Sequence, residues 1–199
     1  MTDTTAATPD DIPEFDEPDL DETDDGEPTP SGEQDVSEPP HPVNWNLLTS
    51  DALKVEWDAL NRWVHWLRET YGLSAAVLPP FWHRHPELVW ELSALHLHWL
   101  CAYDAEQNGS APLGWHRDFA DARQRLRDWV AASGTRLDRD RPTRQTSWPG
   151  EKPAGPVEDI IISDREADFR EFAAADVARR RQTEDEFYAS LNPETGELT

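Results

Sequence analysis

All ten tryptophans of this 199-residue chain lie between Pro42 and Pro149. Large rings of this kind gain much from burial, so a core that uses them must be built inside this range. Charge divides the chain at the same places. Residues 1–41 carry fifteen acidic and no Lys or Arg side chains, residues 42–149 carry thirteen acidic and twelve basic ones, and residues 150–199 carry thirteen acidic and six basic ones. The sequence therefore predicts one tryptophan-rich domain over residues 42–149, between two acidic tails.

The two tails lead to different expectations. Residues 1–41 are rich in Pro, Thr and Asp and poor in large apolar side chains, so burial cannot offset the entropy cost of ordering them. We expect a disordered, solvating arm, and an arm that docks on a basic partner or mimics nucleic acid is the alternative. Residues 150–199 are predicted to be mostly disordered, with short amphipathic helices near residues 164–182 and 184–191. Capping-box spacing indicates where these helices start, in the pairs Ser163–Glu166 and Thr183–Glu186.

Apolar residues recur at helical spacing in three places within the domain. The first helix is predicted over residues 51–71, the second over 86–106 and the third over 114–132. The stripe of the first helix is the clearest, with steps of three and four residues through Leu53, Trp57, Leu60, Val64, Leu67 and Tyr71. No segment of strand length alternates with period two. The predicted fold class is all-α, a small three-helix domain that should fold without either tail.

The stretch FWHRHPELVWELSALHLHWL, followed by GWHRDFAD, resembles an uncharacterised actinobacterial family, the domain of unknown function 4913. The resemblance covers about residues 44–136. Phe119 stands where that family often has His. The resemblance implies a gene of plasmids, phages or integrative elements, and it implies no particular activity. The matching positions are Phe81, Trp82, His85, Pro86, Glu87, Trp99, Trp115 and Asp118.

The histidines raise the possibility of a metal site. Five of the seven lie in or beside the second helix: His83, His85, His96, His98 and His116. His98 and Cys101 would share a helical face, but His96 would not, and no second cysteine completes a zinc site. We therefore expect no metal; instead His85 should cap the second helix, and His96 and His98 should border the core.

Recognisable catalytic motifs are missing from the sequence, which has no phosphate-binding glycine loop, nucleophile elbow or paired-histidine zinc motif. Four acidic residues could serve as paired carboxylates for acid–base chemistry if they lined a pocket, and are otherwise ordinary surface acids: Glu87, Glu91, Asp118 and Asp121. We expect no catalytic residues, no cofactor and no enzymatic activity. A single cysteine, the absence of a secretory leader and the absence of a long apolar run predict a cytoplasmic protein without a membrane partner.

Binding to another protein is the favoured function, through the predicted helix 164–182. Phe169, Phe172 and Val177 share one face of it. A short amphipathic helix is marginal alone in water, so this face either docks on the domain or waits for a partner groove. We favour the partner. The hypothesis is an accessory protein that binds another protein of the same mobile element.

Nucleic-acid binding is the alternative function. Between Arg117 and Arg144 eight arginines stand against five aspartates, and tryptophans interleave with them. Such side chains stack on and neutralise a single strand. The acidic tails weaken this hypothesis because they repel phosphate. The candidate residues, within the Arg- and Trp-rich range 115–148, are Arg117, Arg123, Arg127, Arg136 and Trp148.

Overall fold

The computed structural model describes residues 40–191, and these form four α-helices. They are α1 (Ser50–Tyr71), α2 (Pro86–Ala102), α3 (Ala111–Ser133) and α4 (Arg165–Ala189). A 3₁₀ turn at Trp82–Arg84 precedes α2, and the two-residue strands β1 (Arg139–Asp140) and β2 (Ile160–Ile161) pair antiparallel. The mostly helical class is confirmed. The three predicted helices of residues 42–149 are present, but the fold also contains a fourth helix, α4, beyond that range. Apart from its last two residues, the acidic segment 1–41 lies outside the described residues.

The ends of α1 follow from its sequence. The hydroxyl of Thr49 accepts a hydrogen bond from the N–H of Ala52 at 3.3 Å, which satisfies one of the free donors of the first turn. Gly72 ends the helix in the left-handed region at φ +57°, and its N–H binds the carbonyl of Arg68. The predicted apolar stripe lies on the buried face, as its spacing requires.

Two helix ends differ from the positions that apolar spacing predicted, because side-chain hydrogen bonds form turns there. α2 stops at Ala102 rather than near residue 106, because the carboxylate of Asp104 accepts the N–H of Glu106. The side chain of Asn108 does the same for the N–H of Ser110. Such local bonds compete with helical ones and produce turns. α3 starts at Ala111, three residues before the predicted start, with a proline in its first turn.

Tryptophans from separate elements meet in one core. Trp82 of the 3₁₀ turn and Trp115 of α3 expose 1% and 0% of their surface. Trp115 stacks on Phe119 with ring centres 4.8 Å apart, and its N–H donates to the carbonyl of Leu95 in α2 at 3.4 Å. Trp99 is only partly buried, at the edge of this core.

α4 is one continuous helix where the sequence predicted two short ones. Its first turn is capped by Asp164, whose carboxylate accepts the N–H groups of Glu166 and Ala167 at 3.0 Å. The predicted second start at Thr183 does not occur, because no Gly or Pro interrupts the chain there. The hydroxyl of Thr183 instead donates to the carbonyl of Arg179, one turn earlier.

The apolar face of α4 packs on α1 and the 3₁₀ turn. Phe169 is 3% exposed, and its ring centre lies 6.1 Å from that of Trp57 and 6.2 Å from that of Trp82. Phe172 and Val177 are partly buried against the same core. The prediction that these side chains wait for a partner is therefore wrong. Over residues 150–191 the chain is not a mostly disordered tail, since α4 belongs to the fold.

Polar contacts fasten α4 along its length. The indole N–H of Trp57 donates to the carboxylate of Asp176 at 3.1 Å. Arg180 donates to two main-chain carbonyls in the segment before α1. The carboxylate of Glu184 accepts the N–H of Ser50 at 2.7 Å, where the helix dipole of α1 favours a negative charge. The C-terminal half of α4 thus closes over the beginning of the domain.

Candidate functional site

Two of the residues that carry the family resemblance, His85 and Glu87, belong to a hydrogen-bonded cluster at the start of α2. His85 Nε2 lies 2.8 Å from Asp140 Oδ1, and His85 Nδ1 lies 3.2 Å from the hydroxyl of Thr143. That hydroxyl donates to Glu87. His85 occupies the N-cap position of α2, but its side chain makes no capping bond. The expectation that His85 caps the helix therefore holds for its position but not for its side chain, because Asp140 and Thr143 hold the ring elsewhere.

The hydrogen-bonded series Asp140, His85 and Thr143 has the residue types of a catalytic triad. Catalysis requires that a substrate reach the hydroxyl and that the histidine accept its proton. Here His85 and Asp140 are 0% and 1% exposed, and Thr143 gives its proton to Glu87. These side-chain hydrogen bonds instead connect the start of α2 to β1 and to the loop after it.

A second buried histidine joins the 3₁₀ turn to α4. His83 Nε2 lies 2.8 Å from Asp168 Oδ2, and Arg84 Nε donates to the same oxygen at 2.9 Å. Burial lowers the pKa of His83 to about 4, although Asp168 acts in the opposite direction. His83 is therefore a neutral donor near pH 7. Burial opposes the charge of Asp168, but hydrogen bonds from Arg84 and His83 outweigh it and lower the pKa of that carboxyl.

His96 lies on the aromatic edge of the core. Its ring stacks on Trp63 with centres 4.9 Å apart, and burial lowers its pKa to about 4. Since the pKa in the folded state is below the ordinary value of 6.5, the neutral ring stabilises the fold above about pH 6.5. This contribution is lost as the pH falls from about 6.5 towards 4, because the unfolded chain then binds a proton that the folded protein excludes.

We expect the melting temperature to fall between pH 7 and pH 4, and to fall less in His96→Phe. Phenylalanine keeps the stacking on Trp63 and cannot bind a proton, while His83 contributes equally to both curves. Thermal denaturation followed by circular dichroism at half-unit pH steps measures the difference. Parallel curves for the two proteins would contradict a role for His96.

The residues of the nucleic-acid hypothesis are spread over the surface. Arg117 binds its neighbour Asp118 at 3.0 Å, and Arg127 contacts Gln124 of the same helix. Trp148 is 72% exposed on the loop between β1 and β2. In the described part of the chain, no hydrogen bond, ion pair or ring contact joins Trp148 to the four arginines, Arg117, Arg123, Arg127 and Arg136. The structure does not bring these candidates into one site.

The outer face of α2 is an apolar surface that sequence reasoning missed. It consists of Trp90, Ala94, Leu97, Leu100 and Cys101. Trp90 and Leu100 expose 40% and 37% of their surface, Ala94 is exposed, and Leu97 and Cys101 are half-buried. Four of the five follow one another in steps of four, three and four residues, which is the spacing of a coiled-coil seam.

Charge is absent from this outer face. The 17 residues of α2 include only two charged ones, Glu87 and Glu91. Glu87 binds Thr143, and Glu91 accepts a hydrogen bond from Arg125 of α3 at 2.6 Å. A helix that is apolar on all sides is ordinarily buried on all sides. The scarcity of charge is visible in the sequence, but it does not show whether a neighbouring element covers this side of the helix.

The neighbouring helix extends this surface. Two contacts set α3 antiparallel to α2: Glu91 with Arg125, and His98 with Asp118. This register places Trp129, which is 44% exposed, beside the first turn of α2. A second half-exposed indole therefore lies at the same end of the helix pair as Trp90.

Residues 40–191 contain no cluster of three or more His, Cys, Asp or Glu side chains arranged to hold a metal ion. Within the same range, every helix is too short or too polar to cross a membrane. Comparison of the chain with protein-family models, with curated proteins and with solved structures gives no match. The fold and the surface together define a helical domain with an uncharged apolar face. This face is the basis for inferring a function.

Proposed function

We propose that this protein is a non-catalytic accessory protein that binds another protein through the outer face of α2. The observation that carries the proposal is an exposed apolar stripe, free of charge over three helical turns, in a chain that is 30% charged. Contiguous apolar surface of this kind is costly to leave in water, so it favours a protein partner. Trp90 and Trp129 supply the large rings that commonly anchor such interfaces.

The partner that fits this face is an amphipathic helix. Spacing of four, three and four residues along α2 matches the seam that two packed helices share. Ala94, in the middle of the stripe, has a small side chain that allows a second helix to approach closely. Because the face carries no charge, shape and apolar burial would select the partner, and its docking should depend little on salt.

The resemblance to the domain of unknown function 4913 supports a partner encoded by the same plasmid, phage or integrative element. Protein is preferred to nucleic acid in part because three arginines of this region are already paired with carboxylates. Arg125 binds Glu91, Arg117 binds Asp118, and Arg139 binds Asp138. Neutralising phosphates would require these pairs to be exchanged.

A photo-crosslinking amino acid at position 97 tests the proposal in host cells. Position 131, where Ala131 is exposed on α3, is the matched control. We expect one defined crosslinked protein from position 97 and none from position 131. The captured protein, once purified, should bind Leu97→Glu at least about tenfold more weakly than the wild type, because the substitution buries an unpaired charge, and should bind Ala131→Glu unchanged.

Three outcomes would contradict this function. Equal capture from both positions would show that the outer face is not special. A crosslinked product that contains two copies of this chain would make the face a homodimer interface. Single-stranded DNA binding that is lost in Arg123→Gln with Arg127→Gln, but kept in Leu97→Glu, would favour the nucleic-acid alternative.

A further inference from the structure

A cavity of about 360 Å³ opens between α1, the connector after it and the start of α4. Ligand pockets in proteins begin at roughly this size and are mostly apolar, with a few fixed polar groups. The cavity lies at residues 64–82, 137 and 165–166, away from the outer face of α2. It is therefore a separate candidate site.

The wall of the cavity is apolar and preformed. It is lined by four buried side chains, Val64, Leu73, Leu78 and Trp82. Leu137 stands at its edge with 74% of its surface in solvent. Burying this leucine against a ligand would remove more apolar area from water. The wall thus suits a hydrocarbon or aromatic group.

Two guanidinium groups lie beside this wall. Arg165 is held in place, because it donates to the carbonyl of Pro80 at 3.2 Å and to the side chain of Asn61 at 2.6 Å. Its other terminal nitrogen contacts His65 at 2.7 Å and Glu166 at 2.5 Å. A guanidinium has five N–H donors, so one donor of Arg165 remains for a ligand.

The second guanidinium, that of Arg68, is free to turn. Its ion pair with Glu69, at 3.0 Å, joins two side chains that are 51% and 69% exposed. Exposed pairs of this kind are worth little and exchange readily. With Arg165 opposed by Glu166, the charged lining has an excess of one positive charge. This excess suits a single negative charge and disfavours a doubly charged phosphate.

We propose that this cavity binds an apolar group that ends in a carboxylate. The apolar body lies on the wall, and the carboxylate accepts hydrogen bonds from Arg68 and from the remaining donor of Arg165. Planar guanidinium groups match carboxylate geometry, which gives direction as well as charge. Two sources present this chemistry, a free apolar acid and the C-terminal residue of a peptide.

Calorimetric titration of the full-length protein tests the proposal with matched probes. Octanoate is compared with octanol, and the peptide acetyl-Leu-Phe with a free C-terminus is compared with its amide. We expect an acid to bind and its neutral counterpart to bind at least about tenfold more weakly, since charge-assisted hydrogen bonds are lost. If octanoate binds and the peptide acid does not, the ligand is a free acid. If only the peptide acid binds, the ligand is the C-terminus of a peptide.

Two variants assign the site. Arg68→Gln should weaken acid binding about tenfold, whereas Arg62→Gln, which changes an exposed arginine of the same helix outside the lining, should not. Leu97→Glu should bind the acid normally, so this result is independent of the α2 interface. Equal binding of octanoate and octanol, no binding of either acid, or equal effects of the two arginine variants would overturn the proposal.

Discussion

Phe169→Ala lowers the free energy of unfolding by about 3–5 kcal/mol, the cost of removing a fully buried aromatic ring. Phe169 is 3% exposed between Trp57 and Trp82, so its loss leaves a cavity where α4 meets the core. The sequence suggested that residues 42–149 fold without the C-terminal segment. The structure leads to the opposite expectation. Urea denaturation of the full-length protein, followed by tryptophan fluorescence, measures the change.

Phe187→Ala is the matched control, since Phe187 lies on the same helix and is 52% exposed. Substitutions at such positions usually change stability by less than about 0.5 kcal/mol. If Phe169→Ala were no more destabilising than Phe187→Ala, α4 would not be docked in solution. The partner-binding hypothesis for Phe169 and Phe172 would then regain its basis.

Trp115→Ala is expected to be comparably destabilising, by about 3–5 kcal/mol. Its indole is 0% exposed, stacks on Phe119 and donates a hydrogen bond to Leu95. The substitution therefore removes ring packing and leaves the carbonyl of Leu95 without this donor. Stabilities of folded domains total about 5–15 kcal/mol, so the variant should melt far below the wild type. Differential scanning calorimetry measures this.

Trp148→Ala makes the same chemical change at a site that is 72% exposed. It should leave the melting temperature nearly unchanged. A loss of stability at Trp148 equal to that at Trp115 would mean that the loop between β1 and β2 packs on the domain. Comparing Trp115→Ala with Trp148→Ala also shows whether the burial of a tryptophan determines how much it contributes to stability.

Helix positions were predictable where apolar period and end chemistry agree. In α1, Thr49 and Gly72 enclose a stripe with regular spacing, and the helix was predicted to within one residue of its start. The prediction for α4 was incorrect for two reasons. Its acidic composition suggested a tail, while Phe169 and Phe172 bury only against α1 and the 3₁₀ turn, far away in sequence. A one-dimensional pattern shows that a face is apolar, but it does not show what covers the face.

The candidate sites were less predictable than the helices. The cluster of His85 and Asp140 joins residues 55 positions apart, and nothing local to either residue indicates the contact. The outer face of α2 has a visible cause, namely the lack of charge in the helix, yet composition alone could not distinguish a central helix from one with an uncovered side. The cavity near Arg165 requires three separate segments to assemble.

The attachment of α4 to α1 has a consequence for synthesis on the ribosome. Trp57 and its partner Asp176 are 119 residues apart, so the surface that receives α4 is made long before α4 itself. At about 5–20 residues per second, roughly 6–24 s pass between the two. During that time the nascent chain presents Trp57 and Trp82 without their cover. Chaperones that recognise exposed aromatic surface should therefore meet this protein while it is being translated.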